Sequence, residues 1–356
     1  MHLNPIVNRK TLVLPPAPLP WQQGLWASLW RAHQNDTLAH ALLISGPQGL
    51  GKLHFAVGLA KSLLCLATHT TTHNFLESMP CNQCKSCRCF EANAHPNYRL
   101  LQPESPSHVI SIDQIRKCIT ALQHTVQHDK TSTKTYKIVL INPADTLQTA
   151  ASHALLKTLE EPPTASLFIL ISEKPTGLMP TIRSRCQPLR LTPPPRETTP
   201  AWLQQYTHCD ATHIDLALSL AGETPLQALK LIETDALVYY DMIWDTFSDL
   251  RVTHKNPSIV AEQWSQMPRE LLFDYLLYFI STLIQYKAGV SLQQAHLKQR
   301  STILASLAEA NSFPFLYRYL DSLQSIRRNI TTQSLNLLLS LETLAHQWSQ
   351  PDIENL

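Results

Sequence analysis

The sequence predicts an α/β protein, a doubly wound parallel sheet followed by an all-α region, and three observations carry that prediction. Short apolar runs alternate with longer helix-like stretches up to about residue 190. The first of those runs leads directly into a glycine loop with phosphate-binding spacing. Beyond a proline-dense segment no strand-like run remains.

The runs at 40–45 (HALLIS), 136–142 (YKIVLIN) and 167–172 (LFILIS) are continuous and apolar at strand length, which suits interior parallel strands covered on both faces. The stretches between them have helical character. GKLHFAVGLAKSLLCLA follows the glycine loop, SIDQIRKCITALQHTV opens on Ser111 and Asp113, and LQTAASHALLKTLEE stops at Pro162-Pro163. At LRLTPPPRETTPAW proline breaks regular structure and sets a boundary near residue 192. ATHIDLALSLAGETPLQALKLIE then reads as two short helices punctuated by Gly222 and Pro225, and a long helical run begins near 240. Within it, ELLFDYLLYFISTLIQYKAG and FPFLYRYLDSLQSIRRNITTQSLNLLLSLETLAHQW are more apolar than a surface helix requires. Each is expected to pack in a bundle or at a subunit contact.

At 356 residues the chain is long for one domain, and two or three are expected at roughly 100–200 residues each. Its 29 basic and 27 acidic residues leave a net charge of +2, which excludes a protein that coats nucleic acid or an anionic membrane by bulk charge. The basic points Lys130, Lys134, Lys137, Arg327 and Arg328 are too sparse to assign a DNA track. The first residues lack a signal-peptide core, and no window approaches ~18 uncharged apolar residues, so a cytoplasmic protein is expected.

Gly46, Gly49, Gly51 and Lys52 fit the spacing G-x-x-x-x-G-K, in which glycines let backbone N–H groups converge on phosphate oxygens and the lysine adds a mobile cation. The pattern then calls for Ser or Thr to help hold Mg²⁺, but Leu53 stands there and cannot ligate a cation. KIVLINPAD repeats the loss. Asn142 and Pro143 end a strand where a hydrolytic site needs an Asp for metal and a Glu to activate water. Asp145 reads as a solvated acid at a helix start, the alternative being a displaced substitute that would have to reach back to the strand end. The loop therefore either binds phosphate or nucleotide passively, ATP or ADP included, or preserves only its shape.

Eight cysteines in a reducing compartment argue against a disulfide framework, and four of them crowd into 81–89. In CNQCKSCRC, Cys81, Cys84 and Cys87 repeat the spacing with which thiolates grip one tetrahedral ion. Four closed thiolates make a structural zinc site with no open position for chemistry. Spacing leaves the fourth ligand between Cys65 and Cys89, though the C-x-C bite of Cys89 is strained. Iron–sulfur ligation is the alternative. His69 and His73 read as solvated, and Cys118, Cys186 and Cys209 as small core residues.

HALLISGPQGLGK, ALLKTLEEPP (154–163) and TIRSRC (181–186), in that order and spacing, resemble the clamp-loader branch of the AAA+ ATPases. The Pro20-Trp21 start, the cysteine cluster and LNLLLSLETL (335–344) extend the resemblance over nearly the whole chain, toward the bacterial DNA polymerase III clamp loader and its subunits that do not turn over ATP. The resemblance implies an AAA+ core over 1–192 with a zinc module at 65–89, a helical lid over 193–240, and a helical collar over 241–356 through which subunits form a pentamer. It implies Cys65 as the fourth zinc ligand beside Cys81, Cys84 and Cys87. It also implies that Arg185 reaches, as an arginine finger, the γ-phosphate held by the next subunit. The implied partners are gamma/tau motor subunits and a delta subunit, with the sliding clamp and primed DNA engaged through the assembly. Leu226 stands near the position where active relatives carry an ATP-sensing arginine. Two readings compete, an active ATPase motor of the same assembly and a zinc-dependent nucleic-acid-binding module. Neither accounts for ALLKTLEEPP and TIRSRC together.

Overall fold

The computed structural model describes residues 15–67, 78–104, 108–124, 136–234, 236–291, 294–332 and 336–350. His69, His73, Lys130 and Lys134 lie outside the described residues. Five strands, β1 (Ala41–Ser45), β2 (Tyr98–Leu101), β3 (Lys137–Ile141), β4 (Ser166–Ser172) and β5 (Gln187–Arg190), form one sheet in the order β2-β3-β4-β1-β5. Every pairing is parallel, with Leu43 opposite Leu170 and Val139 opposite Phe168.

The three predicted runs are β1, β3 and β4, the interior of the sheet, and the doubly wound α/β class holds. Both faces of these strands are buried, which is why they read as unbroken apolar runs. Leu42, Ile44, Ile138, Leu140, Leu167 and Ile169 pack on one side with α1 (Gln23–Gln34), α2 (Lys52–Leu64) and Phe90 of α3 (Lys85–Glu91). Leu43, Val139, Ile141, Phe168 and Leu170 pack on the other side with α4 (Ile112–His124), α5 (Thr149–Glu160) and α6 (Pro180–Arg183). The edge strands escape sequence reading because they are only half covered: in β5 just Leu189 is buried, and Pro188 is tolerated where no further strand needs its N–H.

The chain divides into two compact units, Met1–Pro194 and Pro195–Leu356. The second is helical throughout its described residues: α7 (Thr199–Leu203), α8 (Ala211–Leu220), α9 (Pro225–Glu233), α10 (Val238–Val252), α11 (Pro257–Ser265), α12 (Arg269–Lys287), α13 (Ala295–Gln299), α14 (Ser301–Ala310), α15 (Phe313–Thr332) and α16 (Leu337–Ser349). The apolar stretch from 313 to 348 is thus two helices. Their core is aromatic: Phe247 stacks on Phe279 at 4.1 Å, and Trp348 meets Phe247 edge-on at 4.7 Å while its Nε1 donates to Phe247 O at 3.1 Å. Cys118 and Cys186 are buried as expected, but Cys209 is only half-buried, because it lies in the connection between α7 and α8. Among the described residues no helix is long and apolar enough to cross a membrane.

Candidate functional site

The glycine loop joins β1 to α2 as its spacing predicts. Gly46, Gly49 and Gly51 all have positive φ, and Gly51, at φ 74°, is the N-cap of α2. Two side chains near the chain start brace the loop from behind. Trp21 Nε1 donates to Leu50 O at 3.0 Å, and the fully buried Gln22 donates from Nε2 to Leu50 O at 2.8 Å and to Gly51 O at 3.1 Å. Leu53, where a metal-binding hydroxyl would stand, packs against the apolar core.

Lys52 is 6% exposed, and burial holds its ammonium below its usual pKa, with Glu173 opposing that shift. Its Nζ donates to Pro47 O at 2.8 Å and lies 3.6 Å from Glu173 Oε1. The lysine's charge is answered within the chain. Glu173 directly follows β4, the neighbour of β1, so its carboxylate stands at the carboxyl edge of the sheet. Asn142 and Pro143 end β3 at the same edge and carry no charge. Asp145 is exposed yet tethered, accepting from Ser172 Oγ at 2.6 Å and from Glu173 N at 2.9 Å. It anchors the end of β4 rather than serving as a plainly solvated acid.

The structure brings Cys65, Cys81, Cys84 and Cys87 together, their sulfurs all within 4.8 Å of one another, and Cys89 does not join them. A tetrahedral ion with metal–sulfur bonds of about 2.3 Å needs sulfurs about 3.8 Å apart. Cys65 and Cys84 are at 3.9 Å and Cys81 and Cys87 at 4.0 Å, so four thiolates can hold one ion. Backbone N–H groups already serve these sulfurs: Cys81 donates to Cys65 Sγ at 3.4 Å, Cys84 to Cys81 Sγ at 3.3 Å, and Cys87 to Cys84 Sγ at 3.4 Å. Backbone donors from Gln83 and Cys84 lower the Cys81 thiol to about 6, whereas burial raises Cys65 and Cys87. Behind the cluster, Ser86 Oγ donates to Leu64 O at 2.5 Å and meets His95 Nε2 at 3.0 Å, while His95 Nδ1 accepts from Asn97 N at 3.1 Å. That last bond fixes the imidazole proton on Nε2, which donates to Ser86.

Arg185 sits between two buried anchors, Ile182 and Cys186. Its Nη1 donates to Thr181 O at 3.0 Å and its Nη2 is 2.5 Å from Glu160 Oε1. Leu226 lies half-buried in the first turn of α9. Of the scattered cations, Lys137 donates to Leu122 O and Arg327 pairs with Asp274 at 2.7 Å, so both are engaged within the fold.

A family described as DNA polymerase III, delta subunit, matches residues 21–195, and its C-terminal counterpart matches residues 241–350. DNA polymerase III subunit delta' of Pseudomonas aeruginosa is 30% identical over 332 residues, covering 93% of this chain and 97% of its own length. The chain belongs to the DNA polymerase III subunit delta' family. The delta' protein of Escherichia coli is 32% identical over 216 residues, 61% of each chain. The likeness reaches a second kind of subunit: gamma/tau of Mycobacterium bovis is 30% identical over 60% of this chain, though over only 35% of its own length.

For this delta' family chain, the sequence reading missed the residues that complete the site from a distance. Glu173 had a signal, an acid ending the apolar run LFILIS at the edge where ligands of such sheets bind. Gln22, Ser86, His95 and the pairing of Glu160 with Arg185 had none, since each depends on elements far apart in sequence.

Proposed function

We propose that this delta' family chain is a non-hydrolysing subunit of the DNA polymerase III clamp loader and lends Arg185 to the ATP site of an adjoining motor subunit. The observation that carries the reading is the state of Lys52. Its ammonium is bound by Glu173 and Pro47, Leu53 follows it in the chain, and β3 ends in Asn142-Pro143 and not in acids. A phosphate loop whose cation is neutralised internally, with Leu53 in the hydroxyl position and the nearby carboxylates of Glu173 and Asp145 already engaged by Lys52 and Ser172, is suited to hold a fold and not to split a phosphoanhydride. Arg185, partly exposed between the buried Ile182 and Cys186, is suited to donation in trans, where an arginine is worth ~10³ to 10⁵ in rate.

In the same proposal Cys65, Cys81, Cys84 and Cys87 hold a structural zinc that ties the segment after α2 to α3. Residues 193–240 act as a lid and 241–356 as the collar that joins gamma/tau and delta subunits. The sliding clamp and primed DNA are met through that assembly.

The test is steady-state ATP turnover of the purified chain and of the reconstituted loader, with wild-type and Arg185→Ala chains. The lone chain is expected to be inert, and the variant to cost the adjoining site ~10³ or more while assembly persists. Turnover by the lone chain would instead make this a motor and overturn the reading of Leu53, Asn142 and Pro143.

A further inference from the structure

We infer that Glu160 is a positioning residue that parks Arg185, holding the guanidinium in an unengaged state until a phosphate displaces the carboxylate. The inference rests on the proposed donation of Arg185 in trans. Glu160 and Arg185 belong to the two stretches ALLKTLEEPP and TIRSRC, and the packing of α5 against α6 brings them together: Leu155, Leu159, Ile182 and Cys186 share one buried cluster. Over that cluster Arg185 Nη2 lies 2.5 Å from Glu160 Oε1, with the arginine side chain 34% and the glutamate 50% exposed. The guanidinium is therefore held yet reachable from solvent.

Two features make this a restraint and not an aiming device. Arg185 keeps a second anchor, Nη1 to Thr181 O at 3.0 Å, which fixes the direction of the side chain without Glu160. What Glu160 adds is a negative charge beside the cation, and that charge opposes the approach of any phosphate. Its position costs something locally: Glu160 is the last residue of α5, where the helix dipole disfavours an anion, and Arg185 is the partner that compensates it. An exposed pair of this kind is worth a factor of about two to five, enough to bias an equilibrium between parked and engaged arginine and small enough for a bound nucleotide to reverse.

The first measurement uses the chain alone. The rate at which phenylglyoxal modifies Arg185, followed by peptide mass mapping, should rise about two- to fivefold in Glu160→Gln and stay near wild type in Glu160→Asp, which keeps the charge. The second uses the reconstituted loader: Glu160→Gln should raise turnover in the absence of clamp and DNA by a similar factor, leave the stimulated rate unchanged, and have no effect in an Arg185→Ala background. If Arg185→Ala depresses turnover but Glu160→Gln alters neither the modification rate nor the unstimulated rate, the parking role fails and donation of Arg185 stands. A fall in the stimulated rate of Glu160→Gln would mean that the carboxylate aims the arginine, which also overturns parking. If Arg185→Ala is without effect, donation itself fails and the inference falls with it.

Discussion

Replacing Gly46 by alanine tests whether the glycine loop is retained for its backbone shape. Gly46 sits at φ +149°, and a Cβ there would lie 2.4 Å from the carbonyl oxygen of Leu191 and 3.3 Å from its carbonyl carbon. The obstacle is backbone, and it is tied down: Leu191 N donates to Ser45 O at 2.8 Å, continuing the pairing of β1 with β5. Making room displaces the end of β5 and forfeits that bond, at about 1 kcal/mol. A side chain in a glycine conformation adds roughly 1–3 kcal/mol. The sum of about 2–4 kcal/mol, at roughly 2–4 °C per kcal/mol for a unit of this size, lowers its melting temperature by roughly 5–15 °C. Lys52→Met is the contrast. It replaces a buried ammonium by an apolar chain of similar length, and the carboxylate left behind, Glu173, is 48% exposed and free to hydrate, so a change within about 1 kcal/mol is expected. Calorimetric melting of the three proteins decides. If Gly46→Ala melts with wild type, the fold does not need the loop's shape and the structural explanation is refuted. If Lys52→Met falls as far as Gly46→Ala, the lysine and not the backbone sustains the loop.

Other predictions concern separate parts of the molecule. The chain should carry about one equivalent of zinc, released by chelation and lost in Cys84→Ser, with the transition of the first unit lowered; a metal-free native chain of full stability contradicts the four-thiolate site. Burial holds His54, His95 and His296 below the ordinary value of 6.5, so below that pH the unfolded chain takes up protons the folded chain refuses. Stability is therefore present above pH 6.5 and falls on acidification toward the lowered folded values. A urea midpoint that holds or rises from pH 7 to 5.5 contradicts neutral, buried imidazoles. Trp348→Ala empties the aromatic centre of the second unit and should cost about 3–5 kcal/mol there while leaving metal binding intact, which calorimetry and a zinc assay on one sample separate.

What could be read from the sequence follows from where each interaction is encoded. β1, β3 and β4 were legible because covering both faces removes polar residues from the whole run, whereas β2 and β5 keep residues such as Arg99 and Arg190 that face water and so look like loop. The glycine loop was legible because its chemistry sits within seven residues, Gly46 to Lys52, of one strand–helix junction. The counter-charge that pairs with Lys52 was not, since Glu173 reaches it only because β4 lies beside β1. The cysteines fall between these cases. Spacing alone names Cys81, Cys84 and Cys87, but choosing Cys65 over Cys89 depends on α2 ending beside the start of α3, where the Ser86 hydroxyl reaches Leu64 O and sets the next residue, Cys65, over the other three sulfurs. The same logic applies to Arg185: a motif names the residue, but only the packing of α5 against α6 reveals the carboxylate of Glu160 that holds it.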